Sequence, residues 1–173
     1  MPLNLPKKYS TLLDLAHLPE HKRTESLYSI FKRDIEENTQ FKFQSKQIWP
    51  VKKDGVDTMQ TLFNHLTRRD VYEDGKKTGA RSFEMARSQR LHWIKTHIEG
   101  TGGKIDVFSY KDRIRGKDII RTYIHDPSQD YIIILEPLKT GDDYYLLSAY
   151  YLNEPGGKDQ INTKSKKRLP KIY

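Results

Sequence analysis

The first third of the chain spaces its apolar residues for helices. Leu12, Leu13, Leu15 and Leu18 follow Ser10 as a short amphipathic turn that Pro19 stops. Proline also suits the start of the next segment, where Leu27, Ile30, Phe31 and Ile35 predict a helix over 20–37. Phe41, Phe43, Ile48 and Val51 read as a short extended pair closed by an Asp54-Gly55 turn. Asp57 with Gln60 fits a capping box, opening a helix with Met59, Leu62, Phe63 and Leu66 on one face. A polar loop over 73–79 leads to a long helix over 82–99, ended by Gly100 and the Gly102-Gly103 pair.

Beyond residue 104 the period shortens to two. Strands are predicted at 105–110, 119–126, 131–138 and 144–153, separated by Arg115-Gly116-Lys117, Asp126-Pro127-Ser128 and Thr140-Gly141-Asp142. Loops this short favour antiparallel neighbours, since a parallel crossover takes about a dozen residues or more. The expected class is α+β: N-terminal helices, then a long helix packed on a four-stranded antiparallel meander, with Tyr131–Leu135 central. Residues 1–56 form a helical and extended region of unassigned role, and 57–173 the domain that carries the chemistry.

Composition narrows the function classes. The 173 residues suit one domain of roughly 100–200 residues. The net charge is +8, and the stretch 156–173 alone holds six basic residues against Asp159. Such a tail attracts polyanions, or is simply a solvated terminus. Eleven tyrosines argue against disorder. The absence of cysteine excludes disulfides, thiolate catalysis and Cys-based metal sites. No apolar run approaches the roughly 18 residues of a membrane span, and no signal-peptide core comes after Met1. A non-membrane protein is expected, cytoplasmic or delivered into a target cell.

Candidate chemistry lies in the second half. At 3.6 residues per turn, Phe83, Leu91, Ile94 and Ile98 share a sector about 80° wide. Glu84, Ser88, His92, Lys95, Thr96 and Glu99 fall on the wet side. Arg87 falls inside the buried sector, where it must pair (with Glu136, for instance), pass the sheet edge, or face a cleft or ligand phosphate. Arg90, Trp93 and His97 flank that sector. His92 and His97 are five residues apart and cannot share a metal as an i, i+4 pair would. His97 reads either as a satisfied structural group or as a neutral general base beside Arg90. Strand alternation puts Arg121, Tyr123 and His125 on one face, and Ser148 and Tyr150 on a face with Tyr144, Leu146 and Leu152. Arginine for phosphate charge, His, Tyr or Lys for protons, and a hydroxyl for orientation are what phosphodiester chemistry needs. There is no Walker loop, no G-x-G-x-x-G, no nucleophile elbow and no metal-ligand spacing, so no cofactor is expected.

Arg87-x-x-Arg90-Leu-His-Trp93-Ile, Ile120-Arg-Thr-Tyr-Ile124, Tyr131-Ile-Ile-Ile-Leu-Glu136 and Leu146-Leu-Ser-Ala-Tyr-Tyr-Leu152, ahead of a Lys-rich stretch, resemble the prophage- and toxin-associated branch of the barnase–EndoU–colicin–RelE superfamily of RNases. The resemblance spans about residues 62–170. It implies a helix on a four-stranded meander and metal-independent cleavage of RNA, often tRNA or mRNA, through the 2′-hydroxyl to a 2′,3′-cyclic phosphate. It also implies a bacterial or phage origin and a small antitoxin or immunity partner. Under it, Ser148-x-Tyr150 looks like the Ser/Thr-x-aromatic element of colicin-D-like members. Arg121 and Tyr123 stand where a phosphate-binding base and an aromatic are common, and Arg87, Arg90 and His97 are the helix basic groups. The expected catalytic set is His97, Arg90, Arg121, Ser148 and Tyr150, with Arg87, Trp93, Tyr123, Lys158, Lys166 and Lys167 binding substrate. A non-catalytic RNA-binding module or a phage adaptor is the competing reading.

Overall fold

The structure, a computed structural model, describes residues 3–52 and 58–173. The Asp54-Gly55 turn and the Asp57 half of the capping box lie outside the described residues. Those described form α1 (Glu20–Phe31), β1 (Lys42–Phe43), β2 (Lys46–Pro50), α2 (Thr58–Thr67), β3 (Arg68–Glu73), β4 (Lys76–Phe83), α3 (Met85–Ser88) and α4 (Trp93–Ile98). The chain continues through β5 (Asp106–Ile114), β6 (Lys117–Asp126), β7 (Tyr131–Pro137), β8 (Tyr144–Tyr151) and α5 (Gly157–Lys166). Helix α1 continues as a π-helical turn over Lys32–Glu36.

This is a mixed α/β fold, which corrects the expected helix on a four-stranded meander. Strands β5 to β8 do pair antiparallel in sequence order, but they belong to a six-stranded sheet ordered β1-β2-β8-β7-β6-β5. Strand β2 joins β8 in parallel, with Ile48 opposite Tyr144. The Asp143 carboxylate fixes that register by accepting the Gln47 backbone N–H at 3.0 Å and the Trp49 indole N–H at 2.9 Å. Loop lengths among the last four strands carry no information about a partner that lies far upstream in the chain.

The expected 82–99 helix is also corrected. Strand β4 claims Ser82 and Phe83, because the 73–79 stretch is a β3–β4 hairpin rather than a loop. Its Asp74-Gly75 turn has positive φ at both central residues, 49° and 74°, the backbone a two-residue hairpin requires. The remaining helix breaks between α3 and α4, where the N–H groups of Arg90, Leu91, Trp93 and Ile94 bond three residues back. Such tight turns advance about 120° per residue instead of about 100°. A single helical wheel drawn across this break fails, and Ser88, His92, Trp93 and His97 are all buried.

Strand β8 carries a bulge at Leu147: Ile134 faces Ser148 while Leu135 faces Leu146. One extra residue flips alternation. Tyr144, Leu146 and Ala149 therefore point to the main core with Ile133 and Leu135, whereas Ser148 and Tyr150 join the opposite face with Tyr123. The expected grouping of Ser148 and Tyr150 with Tyr144 and Leu146 is thus corrected. The main core takes in Leu13, Leu15, Leu27 and Phe31 from the N-terminal region and Ile124 from β6. On the other face, Ile161 of α5 closes a smaller cluster over Phe108, Tyr123, Ile132, Ile134 and Leu152. No helix among the described residues is long and apolar enough to cross a membrane.

Candidate active site

His97 lies on the main-core face and is fully buried. Its Nδ1 is 2.7 Å from the Trp93 carbonyl and its Nε2 is 2.8 Å from Asp126 Oδ2. Each ring nitrogen faces an oxygen acceptor, so no lone pair is directed at a substrate. The same Asp126 oxygen accepts the Tyr9 hydroxyl at 2.6 Å. Its other oxygen accepts the Ser128 hydroxyl at 2.6 Å and the N–H groups of Ser128 and Gln129. Burial opposes ionisation of Asp126, but these donors outweigh it and hold the carboxyl below its ordinary range. Burial and Asp126 together push the Tyr9 phenol up to about 12.

Arg90 is on that face too. Its guanidinium lies 4.0 Å from the Tyr151 ring centroid and 5.2 Å from that of Trp93, and donates to the Ala86 carbonyl at 2.6 Å. Burial lowers its pKa. Trp93 is buried edge-on against Tyr131, with centroids 5.4 Å apart. The structure does not bring His97, Arg90 or Trp93 together with Arg121, Tyr123, Ser148 or Tyr150.

The opposite face of the sheet does gather charge. Tyr123 donates a short hydrogen bond to Asp112 Oδ2, and Lys164 Nζ reaches Asp112 Oδ1 at 2.6 Å and the Tyr123 hydroxyl at 2.9 Å. Burial first, and then Asp112, raise the Tyr123 pKa. The Tyr123 ring stacks on Phe108 at 5.1 Å and is buried, so the hydroxyl rather than the ring serves this cluster. Arg121, whose side chain is 24% exposed, stands 3.9 Å from Asp112 and 3.8 Å from Glu136, and its Nε completes no hydrogen bond. Tyr150 is half-buried, which raises its pKa; the charges of Arg87 and Arg121 pull the other way. The Arg87 guanidinium sits 5.3 Å from the Tyr150 ring centroid. It donates to the carbonyls of His65 and Arg68 at 2.7 and 3.0 Å and lies 3.3 Å from Glu84, not Glu136. Burial lowers its pKa.

Two open cavities flank this cluster. One of about 610 Å³ lies between the β3–β4 hairpin and the part of β8 that β2 leaves free, lined by Arg69, Arg81, Arg87 and Ser148 together with the acids Asp70 and Glu154. The other, about 670 Å³, is bordered by Glu136 and lined by Lys46, Lys117, Lys139 and Lys171. The stretch expected as a basic tail is largely helix α5: Ile161 anchors it and Lys164 points inward. Lys166 and Lys167 are exposed and form no ion pair among the described residues, while Lys158 pairs with Asp130 at 2.6 Å.

Asp112, Glu136 and Lys164 were not among the residues expected here. Glu136 has a signal in the sequence, its place opposite Leu135 on β7, but only the β6–β7 register puts it beside Arg121. Comparison with known proteins finds no matching family model, no similar curated protein and no similar solved structure.

Proposed function

We propose that the protein is an endoribonuclease acting without a metal, with its site on the sheet face that holds Arg121, Glu136, Ser148 and Tyr150. The observation that carries this reading is the position of that cluster between an arginine-lined and a lysine-lined cavity, a layout suited to a polyanion crossing a reactive centre. In the proposed reaction the Glu136 carboxylate takes the proton of a ribose 2′-hydroxyl. The 2′-oxygen attacks the adjacent phosphorus, and the bond from phosphorus to the 5′-oxygen breaks. Tyr150, kept protonated by burial, donates its proton to that leaving oxygen. Arg121 and Arg87 stabilise the charge that builds on the non-bridging oxygens, and Ser148 orients one of them. The products are a 2′,3′-cyclic phosphate and a 5′-hydroxyl.

The test is expression of the wild-type and variant genes in a bacterium, with total RNA scored for cyclic-phosphate ends. Wild type produces them, with or without EDTA in the purified reaction, and Glu136→Gln does not.

A second reading, RNA binding without cleavage, is favoured by the burial of His97 and by the ion pairs that already engage Arg69 with Glu154 and Arg81 with Asp70. Both readings make α5 part of the RNA surface. Replacing Lys166 and Lys167 together with Ala is expected to reduce the log–log salt slope of RNA binding by about 1.4, at about 0.7 per single-strand phosphate contact. Affinities measured across a salt series check this, and an unchanged slope removes the helix from the interface.

A further inference from the structure

A third cavity, of about 440 Å³, lies on the other side of the molecule, between the N-terminal segment and α4. Its walls include Lys7, Lys8, Arg33, His92, Lys95 and Thr96. The His92 residue is 4% exposed and packs against the backbone carbonyls of Lys8 and Thr11, and neither ring nitrogen completes a well-formed hydrogen bond. Buried polar groups without well-formed partners are rare in folded proteins.

The charges around the cavity are unevenly spent. Asp34, the acid in its wall, is held by Arg33 at 2.6 and 2.9 Å. Arg33 also donates to the Leu5 carbonyl at 2.6 Å. That pair neutralises itself. Lys95 lies 3.3 Å from Glu99, whereas Lys7 and Lys8 form no ion pair among the described residues. The wall therefore keeps a positive surplus, with the Thr96 and Thr101 side chains beside it.

We propose that this cavity binds a phosphate monoester, with Lys7, Lys8 and Lys95 meeting the charge and His92 donating from below. The volume falls within the roughly 300–1,000 Å³ of small-ligand sites and admits more than a bare phosphate. Burial lowers the His92 pKa, and the backbone carbonyls of Thr11 and Lys8 act against it. This site is separate from the sheet face assigned to RNA and does not rest on that reading.

The probes are inorganic phosphate and adenosine 5′-monophosphate, added to the whole protein and compared with sodium chloride at equal ionic strength. Both are expected to raise the melting temperature saturably, as a ligand of the native state does. Replacing Lys7 and Lys8 with Ala should weaken the fitted affinity by about tenfold or more, on the scale of a lost charged hydrogen bond. That variant keeps its fold, because the local roles of these residues are backbone bonds to Asn4 and Thr11. Arg121→Ala should bind both probes as wild type does, and Lys7→Ala with Lys8→Ala should cut RNA as wild type does. In a complementary readout, the His92 imidazole resonances should shift along the same binding curve. A melting temperature that tracks ionic strength alone, or an affinity that survives loss of both lysines, overturns the proposal.

Discussion

Replacing Arg121 with Ala is expected to lower the single-turnover rate of RNA cleavage by roughly 10²–10³-fold, the scale of losing one preorganised charge-stabilising group. The expectation rests on where the guanidinium sits. It is half-buried, held between Asp112 and Glu136 at nearly 4 Å from each, and its Nε completes no hydrogen bond. A group so loosely engaged has donors to spare for a phosphate. The fold should hardly register the change, because Lys164 and Tyr123 still satisfy Asp112. RNA affinity should fall much less than the rate, since the flanking lysines and arginines remain. Equal losses in affinity and rate would make Arg121 a binding residue only.

The largest effect on stability belongs to the other face. Asp126→Ala is expected to cost about 3–5 kcal/mol, the range for removing one partner of a buried charged network. At this chain length that lowers the melting temperature by roughly 6–20 °C. The carboxylate accepts from Tyr9, Ser128, Gln129 and His97, so its loss strands a buried imidazole and frees the β6–β7 turn together. The pH dependence has a definite sign. The Asp126 pKa is depressed in the folded state, so its stabilisation is complete above the unfolded value near 3.8. It is lost as the pH falls through the lower, folded value. Melting curves from pH 6 down to pH 2 check this: the gap between wild type and Asp126→Ala should close only in the acid limb. His97→Ala should likewise be destabilising, while activity per folded molecule stays near wild type.

These two faces also mark what could be read from the chain. The strand segments were legible because Tyr131-Ile-Ile-Ile-Leu135 and its neighbours alternate or run apolar between turn residues. Arg121 and Tyr123 were legible as a pair for the same reason. Three things were not. The parallel partner of β8 lies far upstream, and its register depends on Asp143 reaching Gln47 and Trp49, a contact with no local signature. The bulge at Leu147 moves Ser148 and Tyr150 to the face of Arg121, and nothing in Leu-Leu-Ser-Ala marks it. The break at 89–92 contains no Gly or Pro, so a wheel drawn through it put Ser88 and His92 in water and left His97 outside the core. Catalytic expectations built on that wheel, His97 and Arg90, are the ones that lie on the sheet face opposite Arg121, Ser148 and Tyr150. Those built on strand alternation, Arg121, Ser148 and Tyr150, share one face.

The central claim is that this sheet face cleaves RNA, with Glu136 as the base. Its most direct measurement is single-turnover cleavage of total bacterial RNA by purified wild-type protein and by Glu136→Gln, with cyclic-phosphate ends as the readout. Glu136 is 31% exposed and bears on no buried cluster, so the variant should melt with wild type. The account predicts wild-type cleavage to 2′,3′-cyclic phosphate ends and a loss of about 10²-fold or more in Glu136→Gln, at unchanged RNA affinity. Cleavage by Glu136→Gln at the wild-type rate, or RNA bound tightly by wild type with no cyclic-phosphate ends formed, would contradict it.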